Sequence, residues 1–568
     1  MFLVPQETAP MFFRVKKSGP RSYLQIVENR WERGGTKQRV LVTLGRADEL
    51  VASGQLDALL ASGSRFSEKL LILQAHAAGE FPGTRSRDLG PALVFERLWR
   101  DSGCQAVLEE LLTERRFDVP IERVIFLTVL QRLFDPGSDR ACFGWKDDVL
   151  VDGIEDLRLH HSYRAMAWLG EVLPEADQEA AMPWAPRCVK DLVEERLFER
   201  RRDLFTDLEL VFFDTISIYF EGEGGESLGQ RGHSKDKRPD LKQMVVGAVI
   251  DDEGRPICCE LWPGNTADVK TLIPVAERMK RRFGIERICL VADRGMIQNK
   301  TIEELEHNGW PYILGARMRT WKEVREQVLG RAGRYREVHP ERSAASDPSP
   351  LQVKEVRLDD RRYVVCLNPE QARKDAADRE AILVALEQQL RQGPKSLVGN
   401  RGFRKYLQGT PGAFTIDEAK IRQEVRYDGK WVLRTNTDLD AAQVALKYKQ
   451  LWRVEDLFRS LKSVLQVRPI WHKTDATIRG HVFCSFLALV LRSELARRLA
   501  EHGEHSLEWQ QILRDLKRLQ LCEINARGKR FLLRSEAEGT VGAVCRAVGV
   551  ALPPTIQAVQ ASEETPTS

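Results

Sequence analysis

Asp214 in VFFDTISIYFEG, Asp293 in ICLVADRG and Glu455 in YKQLWRVEDLFRSLK are carboxylates set into largely apolar surroundings. A charge withdrawn from water is costly unless a cation compensates it. Three such charges from distant segments point to a divalent-metal site. Strand side chains alternate between faces, which groups Asp214 with Phe212, Ile216, Ile218 and Phe220. Aspartate is also disfavoured in mid-strand. Asp293 closes a continuous apolar strand, and ligand-binding residues of open α/β sheets gather at the carboxyl ends of such strands. Val444, Tyr448, Leu451, Glu455, Phe458, Lys462 and Leu465 step by four and three residues, which predicts one stripe of a long helix over 441–465. Glu455 interrupts that stripe, and Lys462 lies two turns further along the same face, within reach of a bound phosphate. Taken singly, each acid has a plainer reading: a hydrogen-bonded buried Asp214, an Asp293 that starts a turn, and a solvated pair of Glu455 with Arg459. Taken together they suit Mg2+, which prefers carboxylate oxygen and keeps some waters. Two ions ~3.5–4 Å apart can activate an attacking oxygen and stabilise the leaving one in an in-line displacement at phosphorus.

The elements that must hold these residues can be read from pattern. Residues 1–50 contain alternating segments separated by Ser-Gly-Pro and Gly-Gly, a basic β-rich arm. Residues 51–205 carry helical periodicity such as ALVFERLWRDSGCQAVLEELL and form a helical domain. From about Leu208 three strands follow in succession and then alternate with helices, describing a mixed sheet covered by helices over 206–318 and 435–500. Asn308-Gly309 is a helix C-cap signal. Residues 319–434 read as an insertion with strands, a charged helix and a hairpin turning at Asp428-Gly429. Residues 501–568 are expected to be helical, with SEETPTS as a disordered tail.

Composition narrows the function classes. The apolar fraction is 42%, charged residues reach 30%, and the net charge is only +4. Basic residues cluster locally, with nine Lys/Arg against two Glu between Met11 and Ala47. Such faces suit a polyanion better than a small acidic substrate. Ten cysteines without a C-x-x-C read as reduced, mostly buried thiols. The amino terminus has no basic n-region, and the longest apolar stretch, Val482 to Leu491, is too short to span a bilayer. A cytoplasmic, nucleoid-associated location is expected, with no membrane partner. No P-loop motif occurs, so no nucleotide cofactor is expected. His472 and His481 lack metal-ligand spacing and read as structural or DNA-proximal.

Asp214-Thr215-Ile216-Ser217, Asp293-Arg294-Gly295, and Tyr448, Glu455 and Lys462 at their spacings resemble the motifs of the DDE transposases of bacterial insertion sequences, in the IS-four-type superfamily with its Tyr-x2-Arg-x3-Glu-x6-Lys signature. VLQVRPIWH and the basic arm ending in LVTLGRADEL are similar to that family as well. One position departs: the signature Arg would stand at 451, which is Leu here, with Arg453 two residues on as a partial substitute. The resemblance implies an α/β (mixed) chain with an RNase H-like core and a β-rich insertion, and 162 positions separate Asp293 from Glu455 against 79 between the two Asp. It implies that Asp214, Asp293 and Glu455 are the catalytic, metal-holding residues, for two Mg2+ ions with Mn2+ as a substitute. It further implies double-stranded DNA as partner, both element ends and target, with recognition of terminal inverted repeats, hydrolytic nicking and strand transfer by a homodimer in a synaptic complex. Tyr448, Arg453, Lys462, Arg294, Lys16, Lys17 and Arg21 are the expected DNA contacts. In hairpin-forming relatives an insertion-domain Trp stacks on a flipped base, a place that Trp321 or Trp431 would take, although core packing suits both. A non-catalytic DNA-binding derivative and an RNase H-like nuclease without strand transfer are the competing functions.

Overall fold

The computed structural model describes residues 11–32, 35–63, 76, 85–113, 115–178, 185–201, 209–232, 235, 238–285, 288–339, 351–392, 405–410, 413–464, 470–526 and 529–559. The expected disordered tail SEETPTS and the Ser/Pro-rich loop ERSAASDPSP lie outside them. Two compact units are formed, one by Met1–Arg87, Leu519–Glu536 and Leu552–Ser568, the other by Asp88–Arg518 and Ala537–Ala551.

In the first unit, β1 (Met11–Ser18), β2 (Arg21–Glu32) and β3 (Gly35–Arg46) make an antiparallel meander, with Lys16 opposite Tyr23 and Ser18 opposite Arg21. Two short helices follow, α1 (Ala47–Ala52) and α2 (Gln55–Gly63). A second sheet joins β4 (Arg85–Asp88) to three carboxyl-terminal strands, β16 (Gln520–Ala526), β17 (Lys529–Arg534) and β18 (Ile556–Val559), in the order β18-β17-β16-β4. The region after residue 501 therefore contains strands as well as helices.

The second unit opens with helices α3 (Gly90–Asp101), α4 (Cys104–Leu112), α5 (Ile121–Phe134), α6 (Asp139–Trp145), α7 (Leu159–Leu169) and α8 (Val189–Arg201). Every residue of α5 but Arg123 is buried, as expected of a helix that is apolar nearly all round. The long α15 (Asp475–Glu501) packs against α5 and α7.

The core is a nine-stranded sheet built from β5 (Glu209–Tyr219), β6 (Gln243–Ile250), β7 (Pro256–Pro263), β8 (Ile288–Ala292) and β9 (Tyr312–Gly315), continued by β10 (Arg336–Val338), β11 (Leu351–Leu358), β12 (Arg361–Leu367) and β15 (Lys430–Thr435). Its order is β10-β11-β12-β15-β9-β8-β5-β6-β7. β5, β6 and β7 form an antiparallel meander, and β8 and β9 run parallel to β5 on its other side. A three-stranded meander extended by two parallel strands beside its first strand is the RNase H-like topology, and the chain is mixed α/β. The strands within 319–434 extend this same sheet rather than building one of their own. Beside them lie a small hairpin, β13 (Leu407–Thr410) with β14 (Ala413–Ile416), and helices α11 (Pro369–Gln392) and α12 (Glu418–Val425).

Helices α9 (Leu272–Phe283) and α10 (Asn299–His307) connect the core strands. α10 ends at Asn308, and Gly309 takes φ +65, a conformation that favours glycine. The helix expected over 441–465 is divided. α13 (Ala441–Lys449), opened by an Asp440/Gln443 capping box, and α14 (Trp452–Arg459) are separated by a tight turn. There Leu451 N bonds to Tyr448 O (3.1 Å) and Arg453 N to Gln450 O (2.9 Å), i to i−3 bonds that rotate α14 out of the first helix's register. A π-helical turn, Ser460–Val464, follows, and α16 (Trp509–Arg518) and α17 (Val541–Val548) complete the unit.

A buried ionic network ties α8 to β7 and α9. The Arg282 guanidinium, with no exposed surface, meets Glu195 Oε1 at 2.6 Å, Glu194 Oε2 at 2.7 Å, Glu260 Oε1 at 3.1 Å and Asp191 Oδ1 at 3.2 Å. Arg278 adds Glu260 (2.8 Å) and Asp191 (3.0 Å), and Lys190 adds Asp191 (2.7 Å). All ten cysteines are unpaired and nine are buried.

Candidate active site

β5 is largely buried on both faces, and Asp214, itself half-buried, shares its side of the strand with Phe212, Ile216, Ile218 and Phe220. Its Oδ1 accepts the Thr215 backbone N–H at 2.7 Å. Burial pushes the carboxyl up to about 6; the Lys235 ammonium and the Thr215 N–H oppose that rise, and the negative charges of Asp293 and Asp268 add to it. Asp293 follows the last residue of β8, beside β5, where Ala292 is in register with Phe213. Asp214, in the middle of β5, therefore lies one residue beyond the point where the neighbouring parallel strand β8 ends and Asp293 begins.

Asp293 is exposed and caps the turn Arg294–Met296. The Tyr448 hydroxyl, from α13, donates to Asp293 Oδ1 at 3.0 Å. Burial first, and then the neighbouring Asp293 carboxylate, hold the Tyr448 phenol well above its ordinary range, so it stays a donor. A Cβ on Gly315 would collide with that hydroxyl, which accounts for glycine at the end of β9. Arg317 braces the same turn, donating to the Arg294 carbonyl (3.0 Å) and the Gly295 carbonyl (3.2 Å). The Arg294 side chain itself is exposed.

Glu455 does not fit the apolar stripe predicted for it. The break before α14 turns it outward, and it is exposed, while Val454, Leu457 and Phe458 face inward. α14 packs on β5 and β6, so Glu455 rides on a helix laid across the Asp214 strand. Among the described residues, no hydrogen bond or ion pair joins its carboxylate to either aspartate. Arg453 donates to the Asp252 carbonyl in the β6–β7 turn, and Leu451, at the signature Arg position, is buried. Lys462 is half-buried in the π-helical turn. In the first unit Lys16, Lys17 and Arg21 are exposed on β1 and β2. Trp321 is half-buried and packs against the core, and Trp431 in β15 is half-buried with its Nε1 buried.

Two residues near the aspartates carried no signal in sequence reasoning. Asp268, just after β7, receives the Thr215 hydroxyl at 2.8 Å, and Lys235 lies 3.0 Å from its other oxygen. The negative charges of Asp293 and Asp268 both bear on Asp214 and are only partly met by Lys235, and carboxylate oxygens are the donor chemistry that fits a hard divalent cation. Elsewhere, Asp139, His472 and His481 bring ligand-type atoms within 4.8 Å of one another. There the guanidinium of Arg132 already supplies the cation, 3.1 Å from His481 Nδ1 and 3.3 Å from Asp139 Oδ1. Asp139 is held down to about 2, against the opposing effect of burial, by the His472 hydrogen bond and the Arg132 charge. Among the described residues, no helix is long and apolar enough to cross a membrane.

Residues 206–491 match the family model for the transposase DDE domain, and residues 13–77 match the amino-terminal domain of IS1634 family transposases. No curated protein matches the chain. Among solved structures, a piggyBac transposase synaptic complex with hairpin DNA aligns with TM-score 0.36 and 11% identity over 75% of this chain and 79% of that one. A Mos1 transposase paired-end complex with the left transposon end gives TM-score 0.14 and 16% identity over 35% and 60%, and a Mos1 mariner paired-end complex with Mn gives 0.14 and 14% over 46% and 77%. Likenesses of that size add nothing to the topology already described. The domain match covers half of the chain, from before Asp214 to beyond Glu455, and the chain belongs to the DDE transposases of bacterial insertion sequences.

Proposed function

We propose that this transposase cuts and joins DNA at Asp214, Asp293 and Glu455. The adjacency of Asp214, in mid-β5, and Asp293, directly after the end of β8, inside the matched DDE domain, carries the assignment. DDE transposases depend on divalent metal, and Mg2+, with Mn2+ as a substitute, suits the all-oxygen donors present. When bound, the ions would activate the attacking oxygen and stabilise the leaving one at the scissile phosphate. Asp214, from within β5, and Asp293, from the turn directly after β8, would hold them, and Tyr448 fixes the Asp293 carboxylate by its hydrogen bond. Glu455, free at the surface of α14, completes the set when DNA is engaged. Arg294, beside Asp293, and Lys462 meet the phosphate backbone near the site, while Lys16, Lys17 and Arg21 bind it from the first unit. Arg453, engaged by the β6–β7 turn, supports α14 and leaves the signature Arg role unfilled.

The substrates are the element's terminal inverted repeats and a target duplex, joined by nicking and strand transfer in a homodimeric synaptic complex in the cytoplasm. Membership of the IS-four-type signature group rests on Tyr448, Glu455 and Lys462 at their spacings. The test is a cleavage assay on DNA carrying the element's own termini. Asp214→Asn, Asp293→Asn and Glu455→Gln should each abolish nicking in Mg2+ while end binding persists. Cutting at the wild-type rate by any of the three removes that residue from the site. A wild-type chain that binds ends and never cuts would favour a DNA-binding derivative.

A further inference from the structure

Thr215, directly after Asp214, points to the opposite face of β5 and is buried there. Phe220 N–H bonds across to Lys242 on the β6 side, so by alternation the Thr215 carbonyl faces the β8 side. β8 ends at Ala292, in register with Phe213, and past that point β5 has no strand neighbour on this side among the described residues. A ladder carbonyl in such a place needs another donor. Lys235 supplies it, donating to the Thr215 carbonyl at 2.6 Å. The same ammonium donates to the Thr215 hydroxyl at 2.8 Å and lies 3.0 Å from Asp268 Oδ2, so its three protons meet three acceptors. The hydroxyl in turn donates to Asp268 Oδ1 at 2.8 Å, closing the ring. The turn that carries Asp268, Asp268–Lys270, also packs on Arg294–Met296, the turn that follows Asp293.

We infer that Lys235 and Asp268 form a clamp on Thr215 that sets the position of Asp214 relative to Asp293, so that both are positioning residues for divalent-cation binding. The clamp bears on the cation only through the assignment of Asp214 to the metal site made above. Lys235 acts here by geometry, against its own charge. A cation this close to the carboxylates repels a divalent ion, and simple Coulomb reasoning says that its removal should tighten binding. Loss of a partner that orients a metal ligand instead costs about 10- to 100-fold in metal affinity. The two effects have opposite signs.

The experiment titrates Mn2+ into the full-length protein and follows the free ion by electron paramagnetic resonance, with circular dichroism to confirm folding. Lys235→Met and Thr215→Val, the second an isosteric change suited to a strand, should each weaken Mn2+ binding by about 10- to 100-fold. Thr215→Ser keeps the hydroxyl and should restore nearly native affinity. Unchanged or tighter binding in folded Lys235→Met and Thr215→Val overturns the clamp while leaving Asp214 as a ligand. Asp214→Asn is the separate control and should abolish binding at this site. Native affinity in that variant overturns the metal-site assignment, and the clamp with it.

Discussion

Replacing Arg282 by methionine should be among the most damaging changes available outside the carboxylates. Its side chain is fully buried and meets four acids, Asp191, Glu194, Glu195 and Glu260, at 2.6–3.2 Å. Methionine has about the right length but brings no charge. Lys190 and Arg278 then remain against those four carboxylates, with Arg187 at the edge on Glu195. Leaving buried charge uncompensated costs about 3–5 kcal/mol. Glu194 shows where the strain goes. Its carboxyl is already pushed up by burial, against the attraction of Lys190 and Arg282, and losing Arg282 pushes it further. A carboxyl raised in the folded state takes up a proton on folding, so its contribution improves as pH falls through the folded value. The variant's deficit should therefore be about 3–5 kcal/mol at pH 8 and clearly smaller at pH 5. Urea denaturation by circular dichroism at both values measures it. A loss below about 1 kcal/mol, or one equal at the two pH values, refutes the view that this network locks α8 to β7 and α9.

Other consequences are as direct. Tyr448→Phe removes one hydrogen bond to a charged group, worth about 1.5–3 kcal/mol, and should slow end cleavage about tenfold or more in a single-turnover assay without unfolding the chain. Gly315→Ala should impair the same step by forcing Tyr448 aside, and should impair it less when combined with Tyr448→Phe, which the double-mutant cycle reads out. Because the Asp214 carboxyl is raised to about 6 without metal, protons compete with the cation below that pH. Mn2+ affinity measured by calorimetry should fall by up to about tenfold per pH unit there, with proton release on binding. For the metal-free fold the sign is opposite: Asp214 favours folding as pH drops from about 6 toward its unfolded value. Charge reversal of Lys16, Lys17 and Arg21 should weaken DNA binding and flatten its salt dependence, and an unchanged slope across a salt series removes the arm from the interface.

The places of Asp214 and Asp293 in the fold were legible because their segments obey local rules. An apolar strand ending in Asp293 and an acid inside VFFDTISIYF could be placed on a sheet from alternation alone. Glu455 was harder, since its stripe presumes one straight helix. No Gly or Pro marks the turn at Gln450 and Leu451, and only the tertiary packing of α14 on β5 reveals that Glu455 faces outward. Asp268 and Lys235 were invisible for a different reason. Each lies in a loop whose sequence, GNTADVK or SKDKRPD, reads as an ordinary turn, and their partnership on Thr215 exists only once β5, β7 and the intervening chain are folded. That the strands of 319–434 join the core sheet was not legible, because sequence distance hides that β15 pairs with β9.

The most direct test is anomalous diffraction from the protein crystallised with Mn2+ and an end DNA. The account predicts a peak within about 2.5 Å of carboxylate oxygens of both Asp214 and Asp293, with Glu455 reaching the same cluster. Strong density at Asp139, His472 and His481 with none between Asp214 and Asp293 would contradict it.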